Sequence, residues 1–293
     1  MPLNPHTAES RFLVEPGVLY IVSTPIGNRE DITLRALAVL KQVDIIAAED
    51  TRHTRQLLGF YDISTQLVSC HDFNESERAT HLIGQLKNGK SIALVSDAGT
   101  PLLSDPGHRV VKAAIETDIT VVPIPGASAA LAGLSISGLA TDSFVFLGFP
   151  PRKKSTRHAW IDNLKSEART QILYESPQRI ISLLQDLQEI LGDRNGVLCR
   201  ELTKIHEEVV RGPISGLISN LMDRSKIRGE ITLILAGCGD STCNKEDCLE
   251  MNIQDMITMN SERLPDLAKD LAKRFGITRK EAYDRIRQTR LSD

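Results

Sequence analysis

The sequence predicts an α/β protein made of two α/β units and a small helical appendage. Short apolar runs of strand length alternate with segments of helical spacing, and the alternation occurs twice. Between the two sets, near residues 124–143, lies the Gly-, Ala- and Ser-rich stretch PGASAALAGLSISGLATDS.

Residues 1–16 contain three prolines and little apolar periodicity, which predicts a flexible tail. The N-terminal α/β domain is expected over 17–125. VLYIVST (18–24) is its first strand, followed by DITLRALAVLKQ, whose Ile32, Leu34, Leu37 and Leu40 share a helix face. VDIIAAED (43–50), TQLVSC, SIALVSD and ITVVPIPG supply further strands, with helices around 74–88 and 107–117. Asn74 with Glu77 has the spacing of a capping box. Continuous apolar strands between helices predict a mostly parallel sheet covered on both faces. The C-terminal α/β domain is expected over 126–239, with strands at FVFLGFP, QILYESP, GVLCREL and GEITLILAG and helices around 156–168, 178–191 and 214–223. Residues 240–260 are polar and irregular and read as a linker. Residues 261–293 read as a helix-turn-helix-like module, turning at Gly276, with Thr278 and Glu281 as a capping box.

Composition narrows the function class. The 293 residues are 41% hydrophobic and 25% charged, an ordinary globular balance. No apolar run approaches the ~20 residues that span a bilayer, and the first residues lack an apolar core of signal-peptide length. A soluble cytoplasmic protein without a membrane role is expected. The five cysteines, three of them spaced every five residues (Cys238, Cys243, Cys248), form no CxxC pair and meet no nearby histidine, so neither a disulfide framework nor a metal site is expected. The net charge of −3 excludes an all-over basic nucleic-acid binder, but the charge is uneven. PRKKSTRH (151–158) carries four Lys/Arg and no acid, and 261–293 carries nine Lys/Arg against six Asp/Glu. Local basic patches on an acidic body point to an anionic partner met at defined places.

The chemistry is expected in loops at the carboxyl ends of the strands, where open α/β sheets bind ligands. STPIGNRED (23–31), AEDTRHTR (48–55), SDAGTPLLSDPG (96–107) and PIPGASAA (123–130) lie there in the first unit. LYESPQR (173–179), RELTK (200–204) and the turn before GEI (229–231) lie there in the second. The chain contains no GxxxxGK[ST], no GxGxxG after the first strand, no HExxH and no GxSxG, which argues against P-loop hydrolases, dinucleotide enzymes, zincins and α/β-hydrolases. The residues alone indicate a small polar ligand in a loop-lined site.

STPIGN, AEDTR, SDAGTPLLSDPG, PGASA, FLGFPPRK, YESPQR and RELTK, in this order, resemble the ribosomal RNA small subunit methyltransferase I family, a tetrapyrrole-methylase-like group of class III S-adenosylmethionine methyltransferases. The resemblance covers roughly 17–237, and the tail is similar to the family's helix-turn-helix appendage. FLGFPPRK departs slightly, having proline where a leucine–proline pair is usual. The resemblance implies a cofactor, S-adenosylmethionine, folded in a cleft between the two α/β domains. It places Pro25, Asp97, Ala98, Gly99, Thr100, Leu103, Ser128 and Ala129 against the ligand from the first loops. Tyr174, Glu175, Gly229 and Glu230 correspond to positions near the adenosine. The implied reaction is attack by a ribose 2′-hydroxyl of a cytidine in the decoding region of 16S ribosomal RNA, within the small subunit, by a homodimeric enzyme. A hydroxyl is a poor nucleophile and benefits from a general base. Glu49, Asp50, Glu175, Glu201 and Lys204 are the candidates. Arg52 is placed to hold an adjacent phosphate, and Arg152, Lys153, Lys154 and Arg157 to grip the RNA backbone. The chemistry requires no metal.

Two other readings stay open at this level, and a third, a purely structural α/β protein, is disfavoured because nothing in packing explains the loop set. A methyltransferase of a tetrapyrrole or other small molecule shares the fold but does not need the PRKKSTR loop or basic tail. A non-enzymatic ribosome-binding protein needs the basic parts but not the ligand loops, and cofactor binding separates it from either enzyme.

Overall fold

The protein is described from a computed structural model covering residues 13–238, 253, 264–275 and 277–292. The predicted turn at Gly276, the linker over 240–260 (apart from Ile253) with Cys243 and Cys248, and residues 1–12 of the predicted tail lie outside the described residues. The chain divides into two compact units, residues 1–132 with 203–205, and 133–202 with 206–293.

The first unit holds a five-stranded parallel sheet in the order β3-β2-β4-β1-β5. Its strands are β1 (Leu19–Val22), β2 (Ile45–Ala48), β3 (Gln66–Ser69), β4 (Ile92–Val95) and β5 (Val121–Ile124). Helices α1 (Leu34–Gln42), α2 (Thr51–Phe60), α3 (Glu75–Lys87) and α4 (His108–Glu116) connect them. All four residues of β2 and of β4 are buried, because alternate side chains enter different cores. Ala93 and Val95 join Val39, Leu40 and Leu58 on one face, while Ile92 and Leu94 join Leu82, Leu86 and Val110 on the other. Burial on both faces explains why these strands read as unbroken apolar runs.

Three expectations change here. AEDTRHTR is not all loop: α2 begins at Thr51, capped by Asp50, whose carboxylate accepts from Arg52 N at 2.8 Å. Asn74 is no side-chain cap of α3; its Oδ1 instead accepts from His71 N at 2.8 Å. Val14 and Glu15, expected within the flexible tail, are tied down. Val14 packs against the first core, and Glu15 N donates to Tyr20 Oη at 2.8 Å.

The second unit holds β6 (Phe144–Gly148), β7 (Thr170–Glu175), β8 (Asn195–Arg200), β9 (Glu208–Pro213) and β10 (Ile231–Leu235) in the order β6-β7-β10-β8-β9. The expected mostly parallel arrangement fails in this unit. Only β6–β7 is parallel, and β7–β10, β10–β8 and β8–β9 are antiparallel. The cause is β9, an edge strand that sequence periodicity missed, joined to β8 by a short connection of the kind antiparallel pairs allow. Helices α6 (Lys154–Asp162), α7 (Ile180–Leu191) and α8 (Ile214–Met222) cover one face, with Leu173, Leu198, Leu233 and Leu235 meeting Leu183, Leu187 and Leu217. The supposed break near 124–143 contains helix α5 (Ala129–Ser137). A Cβ on its Gly133 would lie 3.0 Å from Ile234 Cδ1, so the glycine lets the helix backbone approach the other sheet face.

In the tail, α9 (Leu264–Phe275) and α10 (Arg279–Ser292) bury Leu267, Ala268, Leu271, Ala282 and Ile286 in a core of their own that includes Ile253. Thr278 Oγ1 accepts from Glu281 N at 3.2 Å, the forward half of the expected capping box.

Candidate functional site

The loops after β1, β4 and β5 are bonded to one another at the carboxyl edge of the first sheet. Thr24 and Gly99 exchange backbone hydrogen bonds of 2.9 and 3.0 Å. Ser23 Oγ lies 3.1 Å from Thr100 Oγ1, which donates to Ala127 O at 3.2 Å. Thr24 Oγ1 donates to Ser96 O at 3.2 Å. This lacing brings together the loops that carry Asp97, Ala98, Gly99, Thr100, Ser128 and Ala129, and Pro25 is buried next to Thr24. Leu103 is exposed on the outer part of the same loop.

The backbone of SDAGTPLLSDPG is strained. Gly99 has φ +84° and Gly107 φ +124°, conformations suited to glycine, but Leu102 (+73°) and Ser104 (+71°) share the left-handed region without that exemption. Glu201 (+53°) and Thr203 (+65°) do the same in RELTK. Four of the six non-glycine residues with positive φ among the described residues thus fall in two of the loops expected to carry chemistry. Each such residue costs of order 1–3 kcal/mol, and strain of this kind concentrates at functional sites.

Glu49, at the end of β2, is half-buried, and its Oε2 is buried without a hydrogen-bond partner. Burial pushes its carboxyl up to about 7, and the neighbouring charges of Asp105 and Asp97 add to the rise, against a backbone hydrogen bond from Asp97. Ser128 Oγ is likewise buried without a partner. Asp50 differs although adjacent. Its carboxylate accepts from Arg52 N, Nε and Nη2 at 2.8, 3.1 and 2.7 Å, and these bonds hold it far below the usual carboxylate range. Asp50 is therefore a helix cap and ion-pair partner, not the general base, and Arg52 is its partner rather than an uncommitted cation.

In the second unit, Glu201 is also engaged. Its Oε1 accepts from Glu230 N at 3.0 Å, and a Cβ on Gly229 (φ +93°) would lie 2.4 Å from Glu201 Cγ and Cδ. Gly229 thus makes room for a protein side chain, where ligand space was expected. Glu175 is buried, accepts from Ser176 N at 2.7 Å and pairs with Arg179 at 2.8 Å. Tyr174 is half-buried between Phe146 and Phe149. Lys204 is half-buried in the short segment that groups with the first unit.

The basic run 151–158 divides. Arg152, Lys153 and Lys154 are exposed, but Arg157 is buried in α6 and bonded to Asp186. It is a core ion pair and takes no RNA phosphate. Trp160 packs against the second core. His158, Asp186 and Glu189 have ligand atoms within 4.8 Å of one another. Asp186 already faces Arg157, His158 and Lys154, so the group is an ion-pair network rather than a cation site. Sequence reasoning passed over Glu75, which is buried and accepts from Gly107 N and Arg109 N at 3.0 and 2.7 Å, fixing the far end of SDAGTPLLSDPG. Its place within HDFNES carried no signal for so distant a contact.

This fold is that of the tetrapyrrole (corrin/porphyrin) methylases, whose family matches residues 18–218. Among solved structures, uroporphyrin-III C-methyltransferase from Thermus thermophilus aligns with TM-score 0.52 and 21% identity over 75% of this chain and 94% of its own. Diphthine synthase aligns with TM-score 0.56 and 16% identity over 75% and 90%. The two names specify different chemistry on one fold, so fold alone does not choose a substrate. Curated relatives are closer. A ribosomal RNA small subunit methyltransferase I of Streptococcus pyogenes serotype M3 is 45% identical over 92% of this chain and 94% of its own length. The protein of the same name from Haemophilus influenzae is 44% identical over 91% and 95%, and that from Micromonospora olivasterospora 41% over 92% and 87%. The chain belongs to the ribosomal RNA small subunit methyltransferase I family. The family's methyl donor is S-adenosylmethionine. The buried Ser128 Oγ and Glu49 Oε2, each without a hydrogen-bond partner, suit a polar ligand of that kind.

Proposed function

We propose that this chain transfers a methyl group from S-adenosylmethionine to the ribose 2′-hydroxyl of a cytidine in the decoding region of 16S ribosomal RNA, within the small subunit. The observation that carries the reading is the length of the match to the curated relatives. Alignments of 271–276 residues at 41–45% identity exceed the 201 positions of the methylase module at 18–218 and so take in sequence outside it. A shared fold accounts for the module alone, whereas a shared substrate accounts for the rest.

In this reading the loop segments Asp97–Thr100 and Ser128–Ala129 hold the donor, together with Pro25 and Leu103. The bound donor supplies an activated sulfonium methyl. Glu49 accepts the hydroxyl proton: it has an unpartnered buried oxygen and a carboxyl tuned close to neutral pH, as a base at physiological pH requires. Asp97 N steadies the Glu49 carboxylate, and Asp97 Oδ1 accepts from Asp50 N at 3.0 Å, fixing the connection between β2 and α2. Glu201 and Lys204 take positioning roles, Glu201 by holding the Gly229–Glu230 turn. Arg152, Lys153 and Lys154 contact phosphates. The same reading carries a cytoplasmic homodimer; no helix of the described residues is long and apolar enough to cross a membrane.

The test is to incubate the chain with labelled S-adenosylmethionine and undermethylated small ribosomal subunits, then map the label. Label on one cytidine ribose of 16S ribosomal RNA is expected. Label on a base, or none on RNA with transfer to a porphyrin instead, overturns the reading.

A further inference from the structure

Phe149 is 57% exposed, and its ring packs on that of Tyr174. Strand β6 carries a register shift between Phe146 and Gly148, and Gly148 has φ +64°. A bulge of this kind re-aims the side chain that follows it. Pro150 then restricts Phe149 to extended backbone. Arg179, paired with the buried Glu175 at 2.8 Å, donates to Pro150 O at 2.7 Å and fixes the loop from below. The Phe149 ring packs on Tyr174 with centroids 5.6 Å apart and planes at 60°, and Tyr174 packs edge-on against Phe146 at 5.0 Å. A single exposed apolar side chain needs no explanation by itself. This one is a preset ring standing three residues before an exposed cationic run, Arg152, Lys153 and Lys154, with no acid in 151–158. An aromatic face beside cations that track a backbone is how proteins hold single-stranded nucleic acid.

We infer that Phe149 is a stacking platform for an unpaired base of the RNA strand, with Arg152 and Lys153 on the adjoining phosphates. The assignment rests on the proposed RNA substrate. It adds a residue that reads the strand through a base face instead of its charge, and it gives Glu175 and Arg179 a task, that of positioning the platform.

The experiment compares Phe149→Ala, Phe149→Leu and Phe149→Tyr in the full-length chain, by steady-state methylation of small subunits and by titration with S-adenosylmethionine. Loss of one stacked base is expected to lower kcat/KM for subunits about ten- to a hundredfold in Phe149→Ala. Phe149→Tyr restores it and Phe149→Leu does not. Cofactor affinity, melting temperature and the salt dependence of subunit binding stay at wild-type values, because the inference sets the ring against a base and not against the cofactor or a phosphate. A parallel fall in cofactor affinity would place the ring against the donor and overturn the inference. So would rescue by Phe149→Leu, which needs only apolar volume, or a change of oligomeric state on sizing, which would make this face a contact between copies. If wild-type protein leaves subunits unlabelled, the substrate reading falls separately. Titration of a fluorescent cytidine-rich oligoribonucleotide with wild type and Phe149→Ala then decides the platform, and equal affinities refute it.

Discussion

Arg157 Nε donates to Asp186 Oδ2 at 2.6 Å, and both side chains are buried. His158 Nε2 lies 2.9 Å from the other Asp186 oxygen, and Lys154 Nζ reaches to 3.8 Å. Positions 154, 157 and 158 share one face of α6 by helical spacing, and that face meets α7. Burial opposes ionisation of Asp186, but hydrogen bonds from His158 and Arg157 outweigh it and hold the carboxyl below its usual range.

Arg157→Ala is therefore expected to destabilise the second unit by about 3 kcal/mol, since it removes the buried cation bonded to Asp186 and leaves only the more exposed His158 and Lys154. Replacing Arg152 and Lys153 leaves the melting temperature unchanged but reduces the slope of log binding constant against log salt, by about 0.7–0.9 for each phosphate left without its cation. Thermal melting and salt titrations of the two variants separate these effects. An Arg157→Ala protein that melts normally but binds RNA with a shallower slope contradicts the core role.

Glu49 behaves in the opposite way. Its folded pKa, about 7, lies above the ordinary value of 4.5, so the folded state holds the proton more tightly than the unfolded chain. The stability this contributes is fully present below pH 4.5 and is lost as the pH rises through 7. Glu49→Gln is thus expected to raise stability at pH 8, by about 1 kcal/mol or less once the half-exposed position is discounted for screening. At pH 8 it lowers kcat about 10²–10⁴-fold and removes the acid limb of the pH profile, which inflects near 7 in the wild type. Melting curves and pH–rate profiles check both parts, and a variant with normal kcat removes Glu49 from the chemistry.

The Glu201–Gly229 contact calls for a double-mutant cycle. Gly229→Ala places a Cβ 2.4 Å from the Glu201 side chain and forces a φ of +93° on alanine. Glu201→Ala removes the steric conflict but not the backbone strain. The double variant is expected to lose less stability than the two single losses added, with a coupling of about 0.5–3 kcal/mol. Strict additivity in denaturant melts would restore Gly229 to a purely ligand-facing role.

Most strands and helices of both units were legible in the sequence, whereas the edge strand β9 and helix α5 were not. Strands β2 and β4 are buried on both faces, so every residue must be apolar and the run stands out. The edge strand β9 has only partial burial along EVVRGP, and its two valines amid charges gave periodicity nothing to detect. Helix α5 was missed because alanine, glycine and serine are small on every side, which leaves no amphipathic stripe. At the site, loop residues such as Gly99 and Ser128 were legible through motif resemblance, whereas the split of the basic run between Arg152 and Arg157 was not. Four cations in eight residues look alike until a helix turns one of them toward Asp186. The choice between Glu49 and Asp50 was hidden for the same reason: adjacent carboxylates differ only in what the fold sets beside them.

The tail gives a last test. Its buried residues Leu267, Ala268, Leu271, Ala282 and Ile286 form a cluster with Ile253, separate among the described residues from the cores of the two sheets. A chain ending at Gly239 removes that cluster whole, so both sheets are expected to fold and S-adenosylmethionine affinity to be kept. Nine basic residues against six acids in 261–293 make a net charge of only +3, so the tail's hold on phosphate should be modest. Removing an interaction made equally in ground and transition states raises KM and leaves kcat nearly unchanged. Steady-state methylation of small subunits by the truncated chain, beside a cofactor titration, is the measurement. A several-fold rise in KM at constant kcat is expected. If kcat falls while KM holds, the tail takes part in assembling the catalytic residues, and the module is more than an RNA grip.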